Sequence, residues 1–117
     1  MSANIYNLFK FLEKKKGTKT PFKAKLLYAP DELTDEELKI GGNLDLENIN
    51  IETLPDNLKV GGSLFLSNTK ITSLPDNLQV EGSLYLRNTP LEVLYSEKEI
   101  RNMIEKKGGY VKGVIFV

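Results

Sequence analysis

Apolar residues recur in the same slots every 20 residues along the middle of the chain. The stretch LPDNLKVGGSLFLSNTKITS, residues 54–73, is followed at once by LPDNLQVEGSLYLRNTPLEV, residues 74–93. A less regular copy precedes them, with Thr34 and Asp35 in place of leucine and proline. Constant apolar slots at a short period are typical of a solenoid, in which each coil buries its leucines against the next. The pattern therefore predicts three coils that share one core.

The N-terminal part of the chain follows a different pattern. Apolar residues between Ser2 and Lys16 fall on one stripe, which predicts a helix that caps the first coil. Residues 24–28 are predicted to form a strand beside the first repeat strand, and residues 31–38 to include a helical turn. These segments make residues 1–37 an N-terminal cap, ahead of coils at 38–94 and a C-terminal cap at 95–117, all within one domain, 1–117.

The C-terminal cap begins with a helix signal. Ser96 and Glu99 have the spacing of a capping box, and the expected buried stripe is Ile100, Met103 and Ile104. Residues 110–117 then predict a final strand at the edge of the sheet, with Lys112 as its only charged side chain. Because an uncovered edge offers unpaired backbone groups to another chain, a weak homodimer is expected, with a monomer as the nearly equal alternative.

The spacing L-x-L-x-x-T-x-I-x-x-L-P, from Leu64 to Pro75, resembles the leucine-rich repeat family. The resemblance implies an α+β fold in which the L-x-L segments form a parallel sheet, with strands near residues 43–46, 63–66 and 83–86. Thr69 and Thr89 stand where the family has an asparagine that bonds backbone between coils, and the asparagines one residue earlier are expected to share this role. A short second strand is expected before each glycine turn, because apolar and polar residues alternate there.

The run YSEKEIRNMIEKKGGYVKG resembles the closing segment of short leucine-rich repeat proteins encoded by bacteriophages and their hosts. This resemblance implies a phage-encoded modulator or inhibitor of a host protein, such as a defence enzyme, that acts in the host cytoplasm.

Residues that flank the buried leucines are expected to face outward in columns across the sheet. Two neighbouring outward aromatics could simply stabilise the sheet by cross-strand pairing. They could also anchor a protein partner, since aromatic residues and arginine are enriched in binding hot spots. The second interpretation is favoured because repeat proteins commonly bind through this surface. The predicted partner-binding residues are Asp45, Glu47, Phe65, Ser67, Tyr85 and Arg87.

The formal net charge is zero, but the charges are segregated. Residues 1–30 hold seven lysines and one glutamate, residues 31–100 hold fourteen acidic and five basic side chains, and residues 101–117 hold four basic and one acidic. The basic ends either fold against the acidic middle or meet a charged partner. Nucleic acid is the alternative partner, bound through phosphate. The candidate phosphate-contacting residues are Lys14, Lys15, Lys16, Lys19 and Lys23.

Several classes of chemistry are excluded by composition. The chain has no cysteine and no histidine, so disulfides, thiolate metal sites and histidine general bases are impossible. Asp45 and Glu47 point the same way, but no nucleophile or closed pocket accompanies them, which favours a solvated acidic edge over catalysis. No enzyme, cofactor or metal is therefore expected. No apolar run approaches the length of a membrane span, and the N-terminal charges follow the apolar residues rather than precede them, so a cytoplasmic protein is predicted.

Overall fold

The computed structural model describes residues 22–117, which fall into two compact units, divided between Glu37 and Leu38. In the N-terminal unit the described residues form helix α1, Phe22–Tyr28, and a 3-10 helix, Pro30–Glu32. The predicted helix over residues 2–16 lies outside the described residues. So do four of the candidate phosphate-contacting residues, Lys14, Lys15, Lys16 and Lys19.

The prediction of a strand over residues 24–28 is wrong, because this segment lies within helix α1. Its sequence, FKAKLLY, contains no β-branched residue, and alanine, leucine and lysine are all good helix formers. The N–H of Ala29 donates to the carbonyl of Lys25 at 2.8 Å and closes the last turn. Pro30 then starts the 3-10 helix, which agrees with the helical turn expected after residue 30.

The C-terminal unit contains two parallel sheets of four short strands each, together with two helices. The first sheet has the order β1-β3-β5-β7 and the second has the order β2-β4-β6-β8. This arrangement confirms an α+β fold with parallel strands at the L-x-L segments and a second short strand before each glycine turn. In chain order the elements are β1 Lys39–Ile40, β2 Leu44–Asp45, β3 Lys59–Val60, β4 Leu64–Phe65, β5 Gln79–Val80, β6 Leu84–Tyr85, α2 Pro90–Leu94, α3 Glu97–Lys106, β7 Tyr110–Val111 and β8 Ile115–Phe116.

We call each pair of successive strands a copy, so that β1 and β2 form the first copy and β7 and β8 the last. Residues 20 apart pair in register through the first three copies, as Leu64 does with Leu84. The last copy pairs at an offset of 31, because Leu84 lies opposite Ile115. The extra residues form α2, α3 and their connections. The predicted single strand over 110–117 is therefore wrong, since it is two strands, one in each sheet.

The inward assignment of the leucines is confirmed. Leu64 in β4 and Leu84 in β6 are fully buried. The leucines that directly follow β2, β4 and β6 are also fully buried, namely Leu46, Leu66 and Leu86. Apolar side chains of the C-terminal segment also point inward, with Val111 4% and Ile115 3% exposed. Each buried side chain therefore packs beside its counterpart in the next copy, which is the physical reason for the repeated sequence.

Asparagine residues turn the chain at equivalent places in successive copies. Five of them have φ between 57° and 67°, a region that asparagine tolerates better than most residues. The Nδ2 of Asn77 donates to Oδ1 of Asn57 at 2.9 Å, and Asn88 donates to Asn68 in the same way at 2.7 Å. In the last copy Gly108, with φ of 84°, takes the place of Asn77.

The asparagines, and not the threonines, bond between copies. The hydroxyl of Thr69 donates to the carbonyl of Leu66 at 2.6 Å, and that of Thr89 donates to Leu86 at 2.7 Å, both within one copy. The expectation that threonine takes over the bond between copies is therefore wrong. The expected contribution of Asn68 and Asn88 is confirmed, through side-chain amides.

The two C-terminal helices begin at clear caps. Thr89 caps α2, which was not predicted, and Pro90 opens it. The capping box of Ser96 and Glu99 at α3 is confirmed. Its buried stripe is Ile100 and Ile104, whereas Met103 is half-buried. Leu94 ends α2 and is 65% exposed.

Arg101 of α3 covers part of the edge that β7 would otherwise expose. Its Nη1 donates to the carbonyl of Val111 at 2.7 Å and its Nη2 donates to that of Gly113 at 2.9 Å. The equivalent carbonyls of the previous copy, Val80 and Gly82, accept from backbone N–H groups of the last copy. The guanidinium thus takes the place of the backbone N–H donors that a further copy would supply. The prediction of an uncovered edge is wrong on this side. The weak homodimer stays a prediction.

Replacing Arg101 with alanine is expected to lower the free energy of unfolding by about 1–3 kcal/mol, because two edge carbonyls lose a charged donor. Arg101→Lys should recover only part of the loss, since an ammonium cannot donate from two fixed positions. Urea denaturation measures both effects. Glu97→Ala is the control, because it removes only an exposed carboxylate 3.4 Å from Nε of Arg101. An equal effect of Glu97→Ala and Arg101→Ala would contradict the role of the carbonyl bonds.

Candidate functional site

The outer face of the second sheet carries a stack of three aromatic rings. Phe65 and Tyr85 have ring centroids 4.6 Å apart with planes inclined by 12°, and Tyr85 and Phe116 are 4.6 Å apart at 13°. All three side chains are half-buried. We call these three residues the aromatic ladder.

The ladder follows from the register of the parallel strands. Phe65 pairs with Tyr85 and Tyr85 with Phe116, so each ring lies one strand spacing from its neighbour. Phe65 and Tyr85 are each flanked by two buried leucines, which lie on the opposite face of the sheet. Phe116 is flanked by the buried Ile115 and by Val117. Alternation along each strand therefore sends every ring outward.

Asp45 continues the aromatic column at the first copy, where it pairs with Phe65. Its side chain is exposed, and Oδ1 accepts from the N–H of Glu47 at 3.0 Å. This bond is a local turn contact of the kind that aspartate commonly makes. Among the residues that the structure describes, no group of three or more acidic side chains could hold a metal ion.

The next column contains Glu47, Ser67 and Arg87, which differ in exposure. Glu47 is half-buried and Arg87 is exposed, so both present charge beside the ladder. Ser67 is only 9% exposed and so offers little surface to a partner. This column therefore presents the carboxylate of Glu47 at the first copy and the guanidinium of Arg87 at the third.

The column on the other side of the ladder is structural. Oδ1 of Asn43 accepts from the N–H of Ser63 at 2.8 Å, and Oγ of Ser63 accepts from the N–H of Ser83 at 3.0 Å. Oγ of Ser83 then accepts from the N–H of Val114 at 3.1 Å. The series stops there because valine has no side-chain oxygen, and Val114 is 52% exposed. These polar side chains bind backbone of the next copy.

Of the candidate phosphate-contacting residues, only Lys23 is described, and its side chain is exposed on α1. The neighbouring Lys25 is engaged, with Nζ 3.1 Å from a carboxylate oxygen of Glu37. The pKa of Glu37 lies below its ordinary value, chiefly because the N–H of Thr34 donates to the carboxylate, with a further contribution from Lys25.

Sequence reasoning missed Phe116 as the third ring. The signal was present, because YVKGVIFV aligns with QVEGSLYL, residues 79–86, when the offset is 31 instead of 20. It also missed an exposed apolar segment at the C-terminal end of α2, where Val93 is 81%, Leu94 65% and Tyr95 37% exposed. Tyr95 and Met103 line a shallow groove of about 230 Å³ beside this segment.

The third and last copies are also joined by an exposed cluster. Nζ of Lys112 lies 2.8 Å from Oε1 of Glu81, and the hydroxyl of Tyr110 donates to Oε2 of the same carboxylate. Both contacts lower the pKa of Glu81, with Lys112 as the larger cause. The cluster joins the last copy to the third and engages both oxygens of the Glu81 carboxylate.

Comparison of the chain with family models, with curated proteins and with solved structures finds no match. In the part of the chain from residue 22 onward, no helix combines the length and the apolar character needed to cross a bilayer.

Proposed function

We propose that the protein is a short leucine-rich repeat solenoid that binds another protein through the outer face of its second sheet. The observation that carries the proposal is the aromatic ladder, a continuous row of three half-buried rings. The 20-residue register of both sheets supports the solenoid, because each strand pairs with its counterpart in the next copy.

The ladder has the properties of a binding anchor. Aromatic side chains give a large contact area, and rings held by their neighbours lose little conformational freedom when a partner docks. Arg87, exposed beside Tyr85, belongs to a residue type that is enriched at the centres of interfaces. Asp45 and Glu47 add negative charge at the first-copy end, which favours a partner with a basic group at that position.

Stacking between rings also stabilises the sheet, so the alternative of a purely structural ladder must be tested. The neighbouring column already binds the copies through three hydrogen bonds to backbone N–H groups. A structural ladder would lose stability on truncation but would not change any binding. A binding ladder would lose affinity by more than the change in stability explains.

The double variant Phe65→Ala, Tyr85→Ala is expected to fold and to bind a captured protein partner more weakly by about 2 kcal/mol or more. The partner is first obtained by affinity capture from lysate with the unmodified chain, and its affinity is then measured by calorimetry. Val93→Ala, Leu94→Ala is the matched control, since it removes exposed apolar side chains elsewhere. Unchanged affinity of the ladder variant would exclude this face as the interface.

The resemblance to short phage repeat proteins supports a host protein as the partner, with the chain as its modulator or inhibitor. Of the five lysines predicted to contact phosphate, Lys23 is the one that the structure describes, and its side chain is exposed, so the alternative of nucleic-acid binding stays a prediction.

A further inference from the structure

The segment that joins the third copy to the last carries apolar side chains on the surface. Val93 is 81% exposed, Leu94 65% and Tyr95 37%. In the regular copies the residue equivalent to Leu94 is buried, since Leu54 and Leu74 are 7% and 5% exposed. The apolar surface therefore belongs to the extra residues that form α2 and α3, and the packing of the repeat does not account for it.

A shallow groove lies beside this apolar segment, along one side of α3. It is lined by Tyr95, Glu99, Asn102, Met103 and Lys106, and we call these five residues the groove face. Asn102, Met103 and Lys106 follow Glu99 by three, four and seven positions, so all four lie in a row on the helix. Met103 is half-buried near the middle of the row, and the other members are exposed. The groove face therefore has an apolar centre and charged ends.

The charges of the groove face are ordered along α3. Glu99 lies in the first turn and Lys106 in the last, about 10.5 Å apart along the helix axis. This order suits the helix itself, because a carboxylate is favoured at the N-terminal end and an ammonium at the C-terminal end. It also makes the face complementary to its own reverse, since an antiparallel copy of α3 would place Lys106 against Glu99 at both ends.

The carboxylate of Glu99 is already oriented by the capping box. Its Oε1 accepts from the N–H of Ser96 at 3.0 Å, and Oγ of Ser96 accepts from the N–H of Glu99 at 3.3 Å. The bond from the backbone of Ser96 holds the pKa of Glu99 below its ordinary value. A charged group that is fixed before binding loses little conformational freedom when it pairs.

We propose that the groove face binds the groove face of a second copy of this chain, with the two α3 helices antiparallel across a two-fold axis. Such a contact is isologous, so each copy contributes the same residues. The axis passes beside Asn102 and Met103, and each Glu99 pairs with Lys106 of the second copy. Val93 and Leu94 then cover the aliphatic stem of that lysine, a part of the side chain that packs well against apolar surface.

A second copy suits this surface better than a helix of arbitrary sequence. The match at the two ends requires an acidic and a basic side chain seven positions apart in antiparallel order, which the chain itself supplies. Because the groove is shallow, the interface is small, and dimers are expected only at high concentration. The contact is also separate from β8, where the sequence predicted pairing of strand edges.

The first measurement is sedimentation of the full-length chain over a concentration series. The unmodified chain is expected to change from monomer to dimer as the concentration rises. Lys106→Glu should weaken the dimer about tenfold or more, because two ion pairs become two contacts between like charges. Lys59→Glu is the matched control, since it makes the same change of charge at an exposed position of β3, outside the groove face.

A mixture of two variants tests the antiparallel match directly. Glu99→Lys should also weaken the dimer, since it brings two lysines together at each end. An equimolar mixture of Glu99→Lys and Lys106→Glu is expected to form a heterodimer, in which both ends again pair opposite charges. Circular dichroism of each variant alone checks that it is folded, because Glu99→Lys removes one bond of the capping box.

Two further variants separate this contact from other surfaces. Phe65→Ala, Tyr85→Ala should dimerise as the unmodified chain does, so the result is independent of partner binding through the aromatic ladder. Val114→Lys should also dimerise normally, because Val114 directly precedes β8 and lies outside the groove face.

The proposal is overturned if the unmodified chain stays monomeric at millimolar concentration, or if Lys106→Glu and Lys59→Glu have equal effects. It is also overturned if the two folded charge variants, mixed, remain monomeric. Loss of the dimer in Val114→Lys would place the contact at the strand edge and would contradict the proposal as well.

Discussion

Leu84→Ala is expected to lower the free energy of unfolding by about 2–5 kcal/mol, the usual range for a fully buried leucine. Leu84 has no exposed surface and lies in register between Leu64 and Ile115. The cavity would therefore open in the centre of the second sheet, where neighbours on both sides are held by their own strand pairs. A loss of this size is a large part of the total stability of an ordinary domain. Urea denaturation, monitored by circular dichroism, measures it.

Leu94→Ala is the matched control, since the same atoms are removed from a side chain that is 65% exposed. Its effect should stay within about 0.5 kcal/mol. If both substitutions changed stability equally, the inward assignment of Leu84 would be refuted.

The second large effect is expected at Gly109, where Gly109→Ala should lower the free energy of unfolding by about 1–3 kcal/mol or more. A Cβ at this position would lie 2.2 Å from the carbonyl oxygen of Leu78 and 2.8 Å from its nitrogen. Both contacts are with backbone, so no side-chain rotation relieves them. The link between α3 and β7 would have to move away from the third copy, and the melting temperature would fall.

Gly42→Ala provides the comparison for Gly109, because a Cβ there meets nothing within 4 Å. It should leave the melting temperature unchanged in calorimetry. Equal destabilisation by the two substitutions would mean that general chain stiffness, and not the close approach of the copies, decides the effect.

Much of the C-terminal unit could be predicted because the repeat period shows which residues of successive copies lie side by side. Once Leu64 is aligned with Leu84, the paired strands, the buried face and the outward position of Phe65 and Tyr85 all follow. The capping box at Ser96 was predictable for a different reason, since it depends on local spacing alone.

The errors arise where neither the repeat nor a local signal applies. Helix α1 lies before the repeat, and the prediction of a strand over residues 24–28 disregarded favourable helix propensities. The division of residues 110–117 into β7 and β8 was hidden by the change in offset from 20 to 31. Arg101 was placed correctly in a helix, but which carbonyls it meets depends on where that helix packs.

The candidate site was predicted in part, because outward direction is not the same as exposure. Phe65 and Tyr85 were placed on the correct face, and their stacking depends on ring orientation that alternation does not define. Ser67 shares that face but is only 9% exposed, which alternation along the strand does not predict.

The constant 20-residue register also bears on how such a gene can change. An in-frame duplication of one regular copy would insert a unit whose two surfaces already match those beside it, and would lengthen each sheet by about 4.8 Å. A point substitution in the same region must instead suit unaltered residues on both sides at once. Change in length is therefore the mutation that this architecture accommodates most readily, and duplication of the copy that carries Phe65 or Tyr85 would also lengthen the aromatic ladder by one ring.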